Sequence, residues 1–402
     1  MAGKRETHLP ARIHCFIMDG GKNFGGIGRM NTYGIGIIGW GFMGRAHAHA
    51  VRALPLYYPG ADFRARLACV ATRSADAAAR AKEDLGFSAA TADYRELIAR
   101  DDVHVVSVCT PNELHEEMAL AVLKAGKHLY IDKPLAVTGE SALHIAEAAR
   151  TAKGFSKVAF NLRHYPATMR LKELADAGEL GEILQFSARY LHAGSIDPDR
   201  PIGWKQQKQG GVLLDMGSHV LDMVTWLMGY PERVSCSLRT LYSRRPRRDG
   251  SVETELSDDH ALMTLIMPGG AMGTVEASKI ATGALDEMTI EIRGAKGAAI
   301  FTTMQPNYLR FFDQGQPERP LGGMRGFTDI ECAQRYPAPG GGFPSVKNAI
   351  GWERAHADCY FDFLNCISHG RKPESTVEKA ARLQQLMDKL RQSGETGEWV
   401  RA

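Results

Sequence analysis

Hydrophobic and polar positions repeat with two alternating periods along the first part of the chain. From Tyr33, short apolar runs rich in β-branched residues are separated by segments with helical spacing. This order is typical of βαβ units, so we predict a doubly wound domain with a parallel sheet over residues 31–155. The strand-like runs are YGIGII, ARLACVA, VHVVSVCT and KHLYID, and the helical segments are FMGRAHAHAVRAL, SADAAARAKEDLG, NELHEEMALAVLKAG and TGESALHIAEAARTA.

The pattern changes after residue 155, where strand-like runs follow one another with glycine and proline between them. Two helices are predicted in this region, at Pro166–Ala177 and Ser218–Met228. We predict a substrate-binding and oligomerisation domain over residues 156–390, a C-terminal segment at 391–402, and late helices that pack across both domains. The strand-like runs are EILQFSARYLHA, DHALMTLIM, GAMGTVEASKIA and EMTIEIRGAKGAAIFTT, and the late helices are ERAHADCYFDFLNCIS and TVEKAARLQQLMDKLRQS.

The length of 402 residues, with 44% apolar residues, fits two hydrophobic cores better than one. Residues 1–30 are rich in glycine and lack periodicity, so we expect an extension outside the fold. A formal net charge of only +3 gives no broad electrostatic footprint for nucleic acid or membrane. The one basic cluster, SRRPRRDG at residues 243–250, contains proline and glycine and is interpreted as a solvated loop tip.

The cysteines and the apolar runs indicate the cellular compartment. The seven cysteines form no CxxC pair, so neither a disulfide framework nor a thiolate zinc site is indicated. No run approaches the roughly 20 apolar residues that span a bilayer. We therefore expect a cytoplasmic protein without a membrane or nucleic-acid partner.

A GxGxxG pattern separates the first predicted strand from the first predicted helix. Gly39 permits a tight turn, Gly41 lets backbone N–H groups approach a pyrophosphate, and Gly44 lets helix and strand pack closely. The pattern alone is weak, but a strand before it and a helix after it favour a dinucleotide site. Phe42 and Met43, inside the turn, are included among the predicted cofactor contacts.

The end of the second predicted strand favours NADP over NAD. NAD-binding domains usually carry a carboxylate here, which accepts hydrogen bonds from the ribose hydroxyls. This chain instead has Thr72, Arg73 and Ser74, whose hydroxyls and guanidinium suit a 2′-phosphate. Asp76 is assigned to the start of the next helix. Arg73 could equally be a surface arginine, so NAD stays open.

Two further strand ends carry candidate cofactor contacts, because ligands of open α/β sheets bind outside the carboxyl ends of the strands. Thr110 and Pro111 close the third strand, and Asn112 is assigned as a helix cap and cofactor contact. His115 is placed near the cofactor, with a non-catalytic cap or surface role favoured. The fourth strand ends in Asp132-Lys133-Pro134; both Asp132 and Lys133 are expected at the cofactor, and proline restricts the lysine so that its ammonium is aimed.

One predicted helix carries ionisable groups on an apolar background. Asp215, His219 and Asp222 lie at offsets of four and seven residues, on one side of the helix. Unpaired charges out of water cost several kcal/mol each. The groups must therefore pair, hold a metal or face a cleft in which they act.

Taken together, these motifs resemble the Gfo/Idh/MocA oxidoreductase family, which includes glucose-fructose oxidoreductase and inositol dehydrogenases. The resemblance extends from about Tyr33 to the C-terminal helices. It departs from the family at Asp132, where glutamate usually precedes the lysine; the charge is kept. The motifs are residues 39–44, TPNELH (110–115), AGKHLYIDKPLA (125–136), FNLRHYPA (160–167) and GGVLLDMGSHVLD (210–222).

The resemblance implies an α/β fold, with an N-terminal Rossmann domain and a C-terminal α+β domain built on a large, open, mostly antiparallel sheet. Members often use that sheet for dimer or tetramer contacts, so a homodimer or homotetramer is expected. The family's catalytic residues correspond to Lys133, Asp215 and His219. His219 is the expected general base, Lys133 stabilises the reacting oxygen, and Asp215 orients the imidazole or binds a substrate hydroxyl.

Substrate contacts and a metal site are weighed from the residues themselves. Asp222 is interpreted as a structural partner. Asp and His on one helix have poor geometry for zinc, and no further His or Cys cluster supplies ligands, so no metal is expected. Aromatic rings suit the apolar face of a sugar, and amide or cationic groups suit its hydroxyls. The substrate contacts predicted on this basis, besides Asp215 and His219, are Asn161, Arg163, His164, Tyr165, Trp204 and Lys205.

We therefore expect an NAD(P)-dependent dehydrogenase or reductase that acts on a sugar, cyclic polyol or sugar derivative. This hypothesis requires Lys133 of the first domain and His219 of the second to face one cleft. Two alternatives stay open: a nonenzymatic dinucleotide-binding sensor, and an enzyme that cycles a tightly bound cofactor between two substrates. The presence of all three expected catalytic residues argues against the sensor.

Overall fold

The computed structural model describes residues 30–207 and 210–402. Asn31–Ala402 forms one compact unit. The predicted extension at residues 1–30 lies outside the described residues, apart from Met30. Within the described residues no helix is both long enough and apolar enough to cross a bilayer.

The first part of the chain forms a six-stranded parallel sheet in the order β3-β2-β1-β4-β5-β6, with helices between the strands. This is the Rossmann arrangement that the sequence predicts. Its elements are β1 (Asn31–Ile38), α1 (Phe42–Tyr57), β2 (Phe63–Ala71), α2 (Ala75–Leu85), β3 (Ala89–Thr91), α3 (Tyr94–Ala99), β4 (Val105–Val108), α4 (His115–Lys124), β5 (His128–Ile131), α5 (Gly139–Thr151) and β6 (Ser156–Val158).

The second part forms a nine-stranded sheet in the order β16-β15-β14-β13-β7-β12-β11-β8-β17, and a separate hairpin of β9 and β10. All its neighbours pair antiparallel except β7 and β12. Its elements are α6 (Pro166–Asp176), β7 (Ile183–Leu191), α7 (Ser218–Met228), β8 (Arg233–Arg239), β9 (Arg245–Pro246), β10 (Val252–Glu253), β11 (His260–Ile266), β12 (Met272–Ser278), β13 (Glu287–Gly294), β14 (Gly297–Thr302), β15 (Tyr308–Asp313), β16 (Phe327–Glu331), α8 (Trp352–Ser368), α9 (Val377–Thr396) and β17 (Val400–Arg401).

Burial explains why the strands of the two sheets differ in their pattern of apolar residues. All four residues of β4 are buried, as expected for a parallel strand covered by helices on both faces. Along β7, Phe186, Ala188 and Tyr190 are buried while the residues between them are exposed. The large sheet therefore packs one face against α6 and α7 and leaves the other face open.

The last helices join the two parts of the molecule. Helix α8 packs against α1, and α9 packs against α5 and α7. Ala357, Tyr360 and Phe363 of α8 belong to the same buried cluster as Ile35 and Val70 of the first sheet. The Rossmann core is thus completed by residues from the far end of the chain.

Two predicted boundaries are corrected by the structure. The parallel sheet continues past residue 155, because β6 pairs with β5. The predicted C-terminal segment at 391–402 is not separate: α9 runs to Thr396, and β17 pairs with β8 at the edge of the large sheet. Both errors arise because short strands carry too little pattern to be recognised locally.

Candidate active site

A cleft of about 1320 Å³ lies between the two sheets. One wall comes from the carboxyl ends of β1, β2, β4 and β5. The other wall comes from β7 and the loop that follows it, the turn before α7, the β9–β10 hairpin and the end of β12. This is the position that ligands take in open α/β sheets.

The glycine turn has the geometry of a phosphate cradle. Gly39 has a φ of 95°, and a Cβ there would lie 2.6 Å from the carbonyl oxygen of Cys109. A Cβ on Gly44 would lie 2.1 Å from the carbonyl oxygen of Gly39, so this glycine allows α1 to pack closely. A Cβ on Gly41 would meet no atom within 4 Å and would occupy the cleft itself. The turn therefore fits a dinucleotide pyrophosphate at the start of α1.

Phe42 and Met43 line the same cleft, in agreement with their predicted position. No acidic residue lies in the first turn of α1. The partial positive charge of the helix N-terminus is therefore not offset by a carboxylate of this turn.

The end of β2 presents hydroxyl and guanidinium groups to the cleft. Thr72, Arg73 and Ser74 all line it. Ser74 caps α2, with its Oγ accepting from the N–H of Ala77, and Thr72 Oγ1 donates to the carbonyl of Ser74. Arg73 forms no ion pair with any residue that the structure describes. Asp76 is exposed in the first turn of α2, where the sequence places it.

At the end of β4, two of the four predicted cofactor contacts line the cleft. Thr110 and Pro111 line it, whereas Asn112 and His115 do not. His115 is buried, and its ring nitrogens lie 2.9 Å from the carbonyl oxygen of Pro134 and 3.1 Å from that of Thr110. This histidine holds the loops after β4 and β5 together, and neither His115 nor Asn112 reaches the cleft.

Three lysines converge on Asp215 at the centre of the cleft. Lys133 Nζ donates to the Asp215 carbonyl at 2.6 Å and to Oδ1 at 2.9 Å. Lys205 Nζ lies 2.9 Å and 3.1 Å from the two carboxylate oxygens, and Lys279 Nζ lies 3.0 Å from Oδ2. Burial would raise the pKa of Asp215, but the three ammonium groups hold it well below its usual 3.8. Asp215 is therefore ionised.

This arrangement differs from the expected role of Asp215. The sequence predicts that Asp215 orients His219 or binds a hydroxyl, whereas its carboxylate is occupied by lysines. The residues 213–217 form a π-helical turn, one residue wider than an α-turn, before α7 begins at Ser218. Asp215 is therefore displaced from the regular helical spacing that relates it to His219 in the sequence.

His219 lines the cleft next to this cluster. Its ring packs edge-on against Tyr190 at 5.7 Å between centroids, and against Phe160 at 6.4 Å. Nδ1 is buried without a hydrogen-bond partner among the described residues, so Nε2 is the nitrogen available to a ligand. Burial, and then the charge of Lys133, lower the pKa of His219 well below 6.5. The imidazole is neutral at neutral pH and can accept a proton.

Asp132 supports the lysine from its own strand end. Its Oδ1 accepts a hydrogen bond of 2.9 Å from the backbone N–H of Lys133. Asp132 and Lys133 both line the cleft, as do Asn161, Trp204 and Lys205. These predicted site residues are therefore brought together with Asp215 and His219.

Three predicted substrate contacts lie elsewhere. Arg163 forms a bidentate pair with Asp222, with distances of 2.6 Å and 2.7 Å, and both side chains are buried. His164 Nδ1 lies 2.8 Å from Asp358, and Tyr165 is buried against Phe301. None of the three lines the cleft, because the 3₁₀ turn at Asn161–His164 directs only Asn161 into it. The pairing of Asp222 with Arg163 matches the structural role expected for Asp222.

Several cleft residues were missed by the sequence analysis. Tyr190 donates its hydroxyl to Asp286 at 2.7 Å, and both line the cleft with Lys279. From α8, His356 and Trp352 reach the cleft, with rings 4.1 Å apart. Lys279 directly follows β12. The alternating pattern of that strand predicts which of its residues face inward, so the sequence contained a signal for this lysine. The position of α8 depends on tertiary packing and has no comparable local signal.

No group of three histidine, cysteine or carboxylate side chains among the described residues is placed to hold a metal ion. The two carboxylate oxygens of Asp215, which the sequence offers as a ligand, are instead paired with ammonium groups.

The fold and this cleft define a dinucleotide-binding oxidoreductase. Residues 33–160 match an oxidoreductase family described as having an NAD-binding Rossmann fold, and residues 168–300 match the GFO/IDH/MocA C-terminal domain. The chain belongs to the Gfo/Idh/MocA family of oxidoreductases.

Similarity to individual proteins supports this assignment. Levoglucosan dehydrogenase of Pseudarthrobacter phenanthrenivorans is 32% identical over 388 residues, covering 92% of this chain and 98% of that protein. Myo-inositol 2-dehydrogenase of Thermotoga maritima is 30% identical over 266 residues, covering 65% of this chain and 73% of that protein. A solved structure of levoglucosan dehydrogenase with NADH and L-sorbose superposes with a TM-score of 0.88 at 31% identity, covering 92% of this chain and 99% of that one.

Proposed function

We propose that the protein oxidises a hydroxyl group of a sugar, cyclic polyol or sugar derivative, or reduces the corresponding carbonyl, with NADP or NAD. One observation supports this most strongly: Lys133 from the Rossmann domain and His219 from the second domain line one cleft beside Asp215. The two relatives described above are named as dehydrogenases of levoglucosan and of myo-inositol.

His219 and Lys133 have separate roles in the proposed alcohol oxidation. A dinucleotide held at the glycine turn would supply the nicotinamide ring as hydride acceptor. His219 takes the hydroxyl proton at Nε2, because Nδ1 is buried and the ring is neutral. Lys133 donates a hydrogen bond to the same oxygen and stabilises its developing negative charge. In the reverse direction His219 returns the proton to the oxygen.

Asp215 acts through the lysine in this proposal. Its carbonyl and carboxylate oxygens fix the ammonium of Lys133, which is otherwise a flexible side chain. Such fixed donors stabilise developing charge without reorganisation during the reaction. Asn161, Trp204 and Lys205 are the proposed substrate contacts, together with Tyr190 and Asp286.

The cofactor site is proposed to consist of the glycine turn and the ends of β2, β4 and β5. The groups at the end of β2 support NADP: Arg73 is exposed at the cleft and has no ion-pair partner within residues 30–207 and 210–402, and Thr72 and Ser74 add hydroxyls. Steady-state kcat/KM with each dinucleotide checks this. A higher kcat/KM with NAD than with NADP contradicts the preference.

A homodimer or homotetramer through the open face of the large sheet, and a cytoplasmic location, complete the proposal. The exposed apolar side chains on the sheet strands support the oligomer, since Leu184, Leu262 and Met272 are 57%, 46% and 54% exposed. Light scattering of the purified protein gives the mass that decides between one, two and four copies.

A screen of sugars and inositols with both dinucleotides, followed at the nicotinamide absorbance, tests the reaction. The variants Lys133→Met and His219→Ala are expected to lower kcat by about 100-fold or more, since each removes a group that acts on the reacting oxygen. Their dinucleotide affinity, measured by NADH or NADPH fluorescence, should be unchanged.

Arg163→Met is unsuitable as a control because it leaves Asp222 buried without its partner. Lys124→Met, which changes an exposed lysine of α4 outside the cleft, is the matched control for Lys133→Met and should keep normal turnover. Normal turnover in Lys133→Met or His219→Ala contradicts the assigned roles. Dinucleotide binding without turnover of any sugar or polyol favours the sensor, and release of nicotinamide from the purified protein on denaturation alone favours the tightly bound cofactor.

A further inference from the structure

The basic segment at residues 243–250 is part of the cleft. It forms the β9–β10 hairpin, in which Arg245 and Arg248 line the cleft. Arg244 is exposed outside it, and Arg247 pairs with Glu253 across the hairpin. The interpretation of this segment as a solvated loop tip is therefore wrong for Arg245, which is buried, whereas Arg248 is exposed in the turn of the hairpin and also lines the cleft.

Arg245 is a buried cation without a carboxylate partner among the described residues. It is 3% exposed, and its guanidinium donates to the backbone carbonyls of Ser195 and Asp197, the latter at 2.8 Å. Carbonyl oxygens accept from its N–H groups and the Tyr242 ring lies 4.7 Å from its Cζ, but neither supplies a negative charge. A buried charge without a counter-ion costs several kcal/mol, so the site favours an anion.

Ser195 connects this arginine to the cluster around Asp215. Its backbone N–H donates to the carbonyl of Lys279 at 2.9 Å, and Lys279 Nζ lies 3.0 Å from Asp215. The Oγ of Ser195 is buried without a described partner, and the residue lines the cleft. Arg245 and a free hydroxyl are thus joined through one backbone hydrogen bond to Lys279, whose ammonium pairs with Asp215.

The charges of the second-domain wall are unbalanced. Among the described residues, the cations that line it are Arg200, Lys205, Arg245, Arg248 and Lys279, and the carboxylates are Asp215 and Asp286. The dinucleotide pyrophosphate does not compensate this excess, because its cradle lies on the opposite wall at the start of α1. The wall that faces the substrate therefore has a positive potential of its own.

We infer that the substrate carries an anionic group, a carboxylate or a phosphate, which binds to Arg245, Arg248 and the Ser195 hydroxyl while its reacting carbon lies at Lys133 and His219. This inference rests on the proposed function and narrows its substrate to acidic sugars or polyols. Arginine suits this role because its planar N–H groups match carboxylate and phosphate oxygens.

The test compares neutral sugars with their acidic counterparts: glucose, galactose and mannose, the matching uronates, the matching 6-phosphates, and inositol with inositol monophosphate. Wild type is expected to have at least a tenfold higher kcat/KM for one acidic series than for its neutral parents. Arg248→Gln is expected to lower this kcat/KM about tenfold through KM, the loss of one charge-assisted hydrogen bond. The uronate and phosphate arms identify the anionic group.

Arg244→Gln is the matched control, since it removes the same charge from the same hairpin outside the cleft. It should leave kcat/KM for acidic and neutral substrates unchanged, and Arg248→Gln should leave the values for neutral sugars unchanged. Equal turnover of neutral and acidic sugars, or an equal loss for both in Arg248→Gln, overturns the inference and leaves the proposed function standing.

Binding separates the two proposals if no sugar is turned over. Isothermal titration calorimetry of glucuronate, glucose 6-phosphate and glucose into the dinucleotide-loaded protein is then decisive. Acid binding that weakens about tenfold in Arg248→Gln, and not in Arg244→Gln, supports the anionic subsite although the proposed reaction fails. Absence of acid binding overturns the anionic subsite, whatever the result for glucose.

Discussion

The carboxylate of Asp215 is surrounded by three positive charges, more than its single negative charge can neutralise. Three ammonium groups lie within 3.1 Å of its oxygens, and Lys133 and Lys279 are nearly buried. Desolvation of buried ions is offset only in part by their mutual attraction. The cluster is thus arranged for something other than stability, and it fixes the Lys133 side chain in the cleft that His219 also lines.

The lowered pKa of His219 predicts the pH dependence of alcohol oxidation. Burial, followed by the charge of Lys133, lowers its pKa well below 6.5, so the proton-accepting form persists at pH values where a free histidine is protonated. The acid limb of the kcat/KM profile is therefore expected to lie below pH 6.5. The profile is measured from pH 5 to 8, with re-assay at pH 7.5 to show that the enzyme stays folded. A half-maximum at or above pH 6.5 contradicts the prediction.

At the residue scale the sequence predicts the groups within motifs better than the direction of their side chains. Lys133 and His219 were placed correctly in the cleft, since a strand end and a helix face position them. Arg163 and His164 were not, because a 3₁₀ turn decides where each side chain points. Arg245 could not be recognised, since its place in the cleft depends on the pairing of a hairpin with Ile202.

At the scale of elements, the π-helical turn at residues 213–217 determines where Asp215 lies. The register of α7 is fixed by its buried residues, including Val220, Leu221 and Val224. An α-helix turns about 100° per residue, so one residue more or less before α7 rotates Asp215 out of reach of the lysines. The extra residue of this turn is thus part of the site.

Deletion of Met216 tests this role of the turn. The deletion is expected to restore an α-turn, separate Asp215 from Lys133 and lower kcat by about 100-fold, with dinucleotide affinity unchanged. Circular dichroism and thermal melting establish that the variant folds. Asp215→Asn keeps the turn and removes the charge, so it provides a comparison with intact backbone. Wild-type kcat in the folded deletion variant contradicts the assigned role.

The regular elements were predicted well where their pattern is long. The four strands and four helices predicted for the first domain appear in the structure, as do the helices at Pro166 and Ser218. The predicted strands are β1, β2, β4 and β5, and the predicted helices are α1, α2, α4 and α5. Short elements such as β3, α3 and β6 were missed, because three to six residues show no reliable period. The π-turn was missed for a different reason, since its sequence reads as a continuous helix.

At the scale of the whole molecule, several histidines are buried neutral. Burial lowers the pKa of His47 and of His128 from 6.5 to about 4. Between these values the unfolded chain binds protons that the folded protein does not. The free energy of unfolding therefore falls as the pH drops below 6.5 and continues to fall until about pH 4.

His47→Gln tests this dependence. His47 is fully buried, and its shift corresponds to about 2 kcal/mol of stability lost between pH 6.5 and 5. Urea unfolding at pH 7 and pH 5 should show a drop for wild type that is smaller by about this amount in the variant. His49→Gln is the control, since it lies exposed on the same helix and should leave the drop unchanged. An equal drop in wild type and His47→Gln contradicts the prediction.

The return of α8 and α9 to the first domain limits how the chain can be divided for protein engineering. Among the described residues, α8 covers α1 and α9 covers α5. A gene fragment encoding residues 31–158 alone would expose both apolar surfaces and tend to aggregate. A transplantable cofactor module would instead join residues 31–158 to residues 352–396 through a designed linker.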